Sequence, residues 1–399
     1  MGDGEAEAEA ALTRPLRIAF VLEATAGGTR KHLRELVRGL VATGFEVMAV
    51  VSKGRDVDFG DDIAWYGAMG CKVAVVPMVR EIRPWEDMKA LARIWVHMRH
   101  FKPDVIHTHA AKGGALGRLA ALSWRRAAVV HTPHTLPCEW ANGWRKHLYR
   151  AVDAMLGRMS DRLIALTNAQ KNTMLAARLT AVHKSPTVIP NGVDTWAGLS
   201  RSEARRKLGA AEQDVVVAQT ARLEPQKACN VFIEAAGTTR DERARFVVLG
   251  DGSLRKKLEE TAAAGPAAGR ITFMGYVQHA ERYYSGIDVM VLTSLYEGLP
   301  YVVLEAMAAG LAVIAPDIPG MDEVVQDGRT GLLVPVGDAG KTAAAVARLV
   351  NDEALRHALG AAAREEVHER FPAAAFIKRH RALYEKLVEN RQAAKRTAH

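Results

Sequence analysis

Short runs of β-branched and aliphatic residues alternate with longer stretches of helical spacing from residue 17 to residue 315. This alternation belongs to parallel sheets built from βαβ units, because a parallel strand can be reached only through a crossover connection. In the first half the pattern predicts strands at 17–22, 47–51, 72–76, 105–107, 128–131 and 162–167, each followed by a loop of small or polar residues and then a helix. In the second half it predicts strands at 215–219, 246–249, 271–273, 289–292 and 312–315. The rhythm breaks between 191 and 214, where a Pro-Asn-Gly turn is followed by SRSEARRKLGAAEQ. The expected fold is therefore α/β, with two doubly wound parallel-sheet domains at 17–198 and 199–370. A segment at 371–390 reads as one or two amphipathic helices packing back on the first domain. The ends, 1–16 and 391–399, read as unstructured tails.

At 399 residues the chain exceeds what one core organises, which agrees with two domains. Apolar runs such as 47–51 and 302–304 fall far short of the roughly 20 residues that span a bilayer. The N-terminal GDGEAEAEAALTRP is acidic and lacks an apolar stretch, so it does not read as a signal peptide. Cys71, Cys138 and Cys229 are odd in number and widely spaced, which fits neither a disulfide framework nor a zinc site. The expected location is the cytoplasm, including the inner face of its membrane.

Charge changes this picture more than composition does. Residues 17–198 carry 26 Lys/Arg against 15 Asp/Glu, whereas the part after 198 carries 27 against 26. A basic first half suits an anionic partner, whether a membrane surface, a phosphorylated acceptor or nucleic acid, or is simply a solvated surface. The segment 124–162, with WRR and then WRKHLYRAVDAMLGRMSDR, has a basic amphipathic pattern that suits anionic lipid as well as a plain surface helix. No nucleic-acid motif accompanies the charge, so nucleic acid is not an expected partner.

Ligands of open α/β sheets bind at the carboxyl ends of strands. After the first strand, EATAGGT at 23–29 offers Gly27 and Gly28, where a backbone can approach a phosphate at a helix N-terminus. The loop is not the G-x-G-x-x-G fingerprint, so NAD is not expected. The densest signal is 288–338. There Glu297 sits in the loop after a buried strand, Pro300 suits the first position of a helix, and Glu305 lies in that helix's second turn. Eight residues apart, the two carboxylates would not share one helix face. Divided between loop and helix they suit a sugar nucleotide, which needs one carboxylate for sugar hydroxyls, helix N–H groups for phosphate and another carboxylate for ribose. Two decoys are set aside. Asp56-Val57-Asp58 imitates a metal-binding Asp-x-Asp in a polar loop, and Gly340-Lys341-Thr342 lacks the earlier P-loop glycine, which is Pro335 here.

The Glu297-x7-Glu305 spacing with Gly298 and EAMAAG resembles the signature of retaining glycosyltransferases of family 4. Further matches follow in order: GGTRKHL, PDVIHTHAAKGGALGRLAA at 103–121, VVHTPHTL at 129–136, VIPNGVDT at 188–195, ARLEPQKA at 221–228, VVLGDG at 247–252 and FMGYV at 273–277. The resemblance implies a GT-B fold, with two Rossmann-like domains facing across a cleft. It implies that Arg222 and Lys227 bind the donor diphosphate, although the family usually has glycine where this chain has Ala228. It assigns Glu305 to the ribose, Glu297 to the donor sugar near its anomeric carbon, and Gly28 to the diphosphate, with Gly298, Leu299 and Tyr301 also lining the donor.

His134 matches the family histidine near the sugar's 6-hydroxyl or the reaction centre, with His131 as the competing choice. His109 resembles an acceptor-side position and His107 a core residue. Lys112, Gly113, Gly114 and Arg118 either open a helix toward an anionic acceptor group or form a solvated helix face. The implied catalytic set is Glu297, His134, Arg222 and Lys227. The implied reaction is a front-face transfer of a hexosyl group, from a UDP-sugar rather than a GDP-sugar, to a hydroxyl of a lipid-linked or cell-surface saccharide. A small soluble natural-product or aminocyclitol acceptor is the alternative. The nucleotide sugar is a substrate, and neither a cofactor nor a bound metal is expected.

Overall fold

The computed structural model describes residues 14–55, 58–122, 124, 126–136, 141–181 and 184–397. Most of the expected N-terminal tail, Asp56 of the Asp-Val-Asp triplet and Cys138 lie outside them. The chain divides into two units, Met1–Pro190 with Ala374–His399, and Asn191–Ala373. The division falls at Asn191, earlier than the expected 198/199, and the chain re-enters the first unit at Ala374.

The first unit holds a seven-stranded sheet of β1 (Arg17–Leu22), β2 (Glu46–Val51), β3 (Lys72–Val75), β4 (Val105–His109), β5 (Ala128–Thr132), β6 (Arg162–Ala165) and β7 (Thr187–Val188), ordered β3-β2-β1-β4-β5-β6-β7. Every pairing is parallel. Along β1 the side chains alternate between two cores. Ile18, Phe20 and Leu22 pack with Leu33, Leu36 and Leu40 of the helix Gly27–Ala42 and with Phe376, Tyr384 and Leu387. Ala19 and Val21 pack on the other face with Ile94, Met98 and Leu116. Burial on both faces explains why these strands read as continuous apolar runs.

The second unit holds β8 (Val215–Thr220), β9 (Ala244–Leu249), β10 (Ile271–Gly275), β11 (Val289–Val291), β12 (Ala312–Pro316) and β13 (Leu332–Val334), ordered β10-β9-β8-β11-β12-β13 and parallel throughout. In each sheet the order reverses beside the first strand of the unit, at β1/β4 and at β8/β11. These reversals open the crevices where doubly wound sheets bind ligands.

Several expectations are corrected. The strand predicted at 162–167 stops at Ala165, and Thr167 instead caps the helix Asn168–Ala176 by accepting from the Gln170 N–H. Pro300 occupies the cap position, with extended backbone, and the helix begins at Tyr301. The C-terminal segment is one helix, Ala373–Arg396, so residues 391–396 are helical where a frayed tail was expected. This helix belongs to the first unit. An added Cβ on Gly39 would lie 2.3 Å from Ile377, so glycine there lets the two helices approach.

Candidate active site

In the second unit the loop after β8 carries Arg222, exposed, and then a single 3-10 turn, Pro225–Lys227. Ala228 follows in the left-handed region at φ 43°, a conformation that costs a residue with a Cβ about 1–2 kcal/mol. The loop after β11 lies against this turn. Leu295 N–H donates to the Gln226 carbonyl at 2.9 Å, Gln226 Nε2 donates to the Tyr296 carbonyl at 2.9 Å, and Thr293 Oγ1 donates to the Lys227 carbonyl at 2.7 Å. Gln219 Nε2 in turn donates to Thr293 Oγ1. Thus fixed from both ends, Lys227 Nζ donates to Glu297 Oε1 at 2.5 Å, with both side chains largely buried.

Glycines let a third loop join them. A Cβ on Gly250 would sit 1.8 Å from the Ala221 carbonyl oxygen, and one on Gly252 would sit 2.5 Å from that of Leu223. Glu305 lies on the helix Tyr301–Ala308, buried at 8% exposure, with the Tyr284 hydroxyl 3.5 Å from its Oε2. Burial, and then the Glu305 charge, push that phenol well above its ordinary pKa. Leu299 and Tyr301 are buried, and Asn191 Nδ2 donates to the Leu299 carbonyl at 2.7 Å, which holds the Gly298-Leu299-Pro300 entry to the helix. Arg222, Lys227, Glu297 and Glu305 therefore lie on the segments that follow β8 and β11, the strands of the reversal, with Lys227 and Glu297 in direct contact. Sequence reasoning missed the scaffold of Gln219, Gln226, Thr293 and Asn191. It also missed Ser294, whose buried Oγ has no hydrogen-bond partner among the described residues.

In the first unit Gly27, at φ 59°, opens the helix Gly27–Ala42, and Ala26 at its cap supplies no side-chain acceptor. Gly28 follows in the first turn. Beside it, Glu23 is held by a bidentate pair from Arg55 at 2.7 and 2.8 Å. His109 ends β4, and its Nδ1 lies 3.3 Å from Nε2 of His134. His134 itself stands at φ 65°, and Gln170 Nε2 donates to its carbonyl at 3.2 Å. Such strain in a non-glycine residue persists only where surrounding bonds enforce it.

His32, absent from the sequence-based candidates, packs edge-on against His134 at 4.7 Å between centroids. Its position was readable, since it shares an inward stripe with Leu36 and Leu40. Among the described residues, ligand atoms of His32, His109 and His134 lie within 4.8 Å of one another, and this is the group able to hold a metal.

The neighbouring histidines have structural tasks. His107 bonds the Tyr384 hydroxyl through Nδ1 at 2.6 Å and Thr132 Oγ1 through Nε2 at 2.8 Å. His131 is tied to Thr108. Burial pushes His107, His109, His131 and His134 well below the usual histidine value, and neighbouring imidazoles add to the effect, so the cluster is neutral.

In the following helix the side chains named as facing an anionic group are held by neighbours within the first unit. Lys112 Nζ is neutralised by Asp87, at 2.7 Å from both carboxylate oxygens. Arg118 is buried, and burial lowers its pKa to about 10 despite the opposing charge of Asp153. A Cβ on Gly113 would lie 2.9 Å from the Val21 carbonyl oxygen and one on Gly114 2.5 Å from the His131 ring, so both glycines serve packing. Asp104, at the other end of β4, binds Arg14 and the Arg17 N–H.

Comparison with known proteins agrees with this architecture. The family described as "Glycosyltransferase Family 4" matches residues 26–196, and "Glycosyl transferases group 1" matches 200–366. The chain is 30% identical over 291 residues, 70% of its length and 75% of the relative's, to the UDP-Gal:alpha-D-GlcNAc-diphosphoundecaprenol alpha-1,3-galactosyltransferase of Escherichia coli. It is 30% identical over 370 residues, 87% of its length and 91% of the relative's, to the GDP-mannose-dependent alpha-mannosyltransferase of Mycobacterium tuberculosis. The Anabaena protein HepE, solved in complex with UDP and glucose, shares the fold at a TM-score of 0.78 and 20% identity, covering 93% of this chain and all of that one. Two parallel Rossmann-like sheets of GT-B type, each with a polar centre at its strand-order reversal, and matches running through both units make this chain a member of glycosyltransferase family 4, a transferase that uses nucleotide sugars.

Proposed function

We propose that the chain transfers a hexosyl group from a UDP-sugar to a hydroxyl of a lipid-linked or cell-surface saccharide, with retention at the anomeric carbon and without a metal ion. The observation that carries this reading is the Lys227–Glu297 pair, with Glu305 on the helix that follows. When a nucleotide sugar reacts, negative charge grows on the leaving diphosphate, and fixed cations stabilise it more in the transition state than in the ground state. Arg222 and Lys227 fill that role. Glu297, held by Lys227, receives the sugar hydroxyls, and Glu305 receives the ribose. N–H groups at Gly298, Leu299 and Tyr301, and at Gly28 in the first unit, are proposed diphosphate donors. His134, neutral and strained, is proposed as a hydrogen-bond donor to the sugar, and His109 as an acceptor-side residue.

The chemistry proposed is a front-face displacement. The C1–O bond to the diphosphate breaks, the acceptor oxygen bonds to C1 on the same side, and the acceptor proton passes to the departing phosphate oxygen. No protein base is then required, and positioning supplies most of the rate. The choice of UDP and of a lipid-linked acceptor is supported by the Escherichia coli relative, a UDP-Gal:alpha-D-GlcNAc-diphosphoundecaprenol galactosyltransferase.

The test is a panel of UDP- and GDP-sugars scored by protection against thermal unfolding and by slow hydrolysis. The preferred donor is then supplied with a polyprenyl-diphosphate saccharide, and the anomeric configuration of the product is read by NMR. Protection by a UDP-sugar and a product of unchanged anomeric configuration are expected. An inverted product would overturn retention, and protection by GDP-sugars alone would overturn the choice of base.

A further inference from the structure

The helices Pro84–Phe101, Ala111–Leu122 and Gly143–Arg158 follow β3, β4 and β5 and lie side by side on one face of the first sheet. The middle helix is bound to the first through the Lys112–Asp87 ion pair, and the Asp153 charge on the third helix acts on Arg118. Each helix runs antiparallel to its strand, so all three N-termini reach the carboxyl edge of the sheet, the edge that carries His109 and His134.

Two tryptophans stand at that edge, each at the second position of its helix. Trp85 is 66% exposed and Trp144 is 69% exposed. Ile82 and Met88 flank the first. Leu148, Val152 and Met155 continue from the second at spacings of four, four and three, an exposed apolar stripe along one helix face. Beside this stripe Arg145, Lys146, Arg150 and Arg158 are exposed, whereas Asp153, the helix's one acidic residue, is partly buried toward Arg118.

We infer that this edge of the first unit docks on an anionic lipid bilayer. Tryptophans with aliphatic neighbours enter the headgroup boundary while arginine and lysine meet the lipid phosphates, and a basic helix with an exposed apolar stripe is built for that position. No helix among the described residues is long and apolar enough to cross a membrane, so the contact is peripheral. The inference rests on the lipid-linked acceptor proposed above and gives it a physical route, since an acceptor headgroup would meet the unit at the edge where His109 stands.

The test is flotation of the full chain with vesicles of phosphatidylcholine alone or containing about 30% phosphatidylglycerol, at low and high salt. Binding only to the anionic vesicles, weakened by salt, is expected. Trp144→Ser with Leu148→Ser should reduce the partition coefficient about tenfold to a hundredfold. Arg145→Glu with Lys146→Glu should abolish the lipid selectivity. Both variants should keep the wild-type melting temperature and hydrolyse the donor normally in vesicle-free buffer. The inference is overturned if the wild type fails to float, if both variants float as it does, or if the stripe instead forms a concentration-dependent dimer that the serine variant dissociates. Vesicle binding is read without donor or acceptor, so membrane docking can fail while transfer stands.

Discussion

The ammonium of Lys227 donates directly to the carboxylate of Glu297 across the β8/β11 reversal, 70 positions further along the chain. Each partner neutralises the other, which keeps a largely buried cation and anion from standing unpaired. Lys227→Ala should therefore do two things. It removes charge stabilisation of the leaving group, which lowers kcat by about a hundredfold to a thousandfold, and it leaves Glu297 without its partner. Steady-state kinetics with the preferred donor, alongside the melting temperature, separates the two. Near-normal turnover would remove Lys227 from the reacting centre.

With Arg222 and Lys227 proposed to supply the positive charge at the leaving diphosphate, incubation with EDTA should leave turnover unchanged. Activity lost to EDTA and restored by Mg2+ or Mn2+ would overturn the metal-free reading. Restoration by Zn2+ alone would direct attention to His32, His109 and His134.

Ala228 holds a left-handed conformation at the end of the Lys227 turn. Relief of Cβ strain outweighs the extra freedom that glycine gives the unfolded chain, so Ala228→Gly should stabilise the protein by about 1 kcal/mol. Donor affinity should not change. Chemical denaturation measures the first and calorimetry the second, and a destabilised variant would show that the methyl group's packing exceeds its strain.

Burial holds the histidine cluster of the first unit neutral, with His380 lowered to about 3. Folded values lie below the unfolded value of about 6.5, so stability is complete above that pH. As pH falls below it, the unfolded chain binds protons that the folded chain refuses. Stability then drops by about 1.4 kcal/mol per pH unit for each such histidine, until the folded values are reached. Melting temperature should fall steeply from pH 6.5 toward pH 4, with little change between pH 7 and 8. A flat profile down to pH 5 would mean that the imidazoles take up protons without unfolding.

What could be read from the sequence follows the range of each interaction. Strands such as β1 and β8 announce themselves because burial on both faces demands unbroken apolar runs. Thr187–Val188 and Leu332–Val334 do not, because two or three residues carry no periodicity and their neighbours in the sheet define them. An amphipathic segment was expected at 371–390, but Tyr384 as the partner of His107 lies 277 residues away and leaves no local trace. In the candidate site, Glu297 was named from its place in the loop after a buried strand and Lys227 through family resemblance. The hydrogen bonds from Gln226 and Thr293 that aim them arise from backbone carbonyls, which every residue possesses. Lys112 likewise has a partner, Asp87, 25 positions earlier in the chain, that left no local trace.

The roles proposed for the two carboxylates divide between binding and turnover. Glu305 sits on the helix beside the Tyr284 hydroxyl, whereas Glu297 is joined to the cation proposed to face the leaving group. Glu305→Gln should remove a contact made equally in ground and transition states, and so raise the donor KM more than it lowers kcat. A hydrogen bond to a charged acceptor contributes about 1.5–3 kcal/mol, so donor affinity should fall about tenfold to a hundredfold. Affinity for the bare nucleoside diphosphate should fall with it, because the ribose is present in both. Glu297→Gln should lower kcat while leaving that affinity nearly intact, since the diphosphate meets Lys227 whether or not the sugar is present. Calorimetric titration of both variants with UDP and GDP needs no knowledge of the acceptor. If UDP binds the Glu305 variant as tightly as wild type and binds the Glu297 variant poorly, the two roles are reversed, and the ribose belongs to the carboxylate that Lys227 holds.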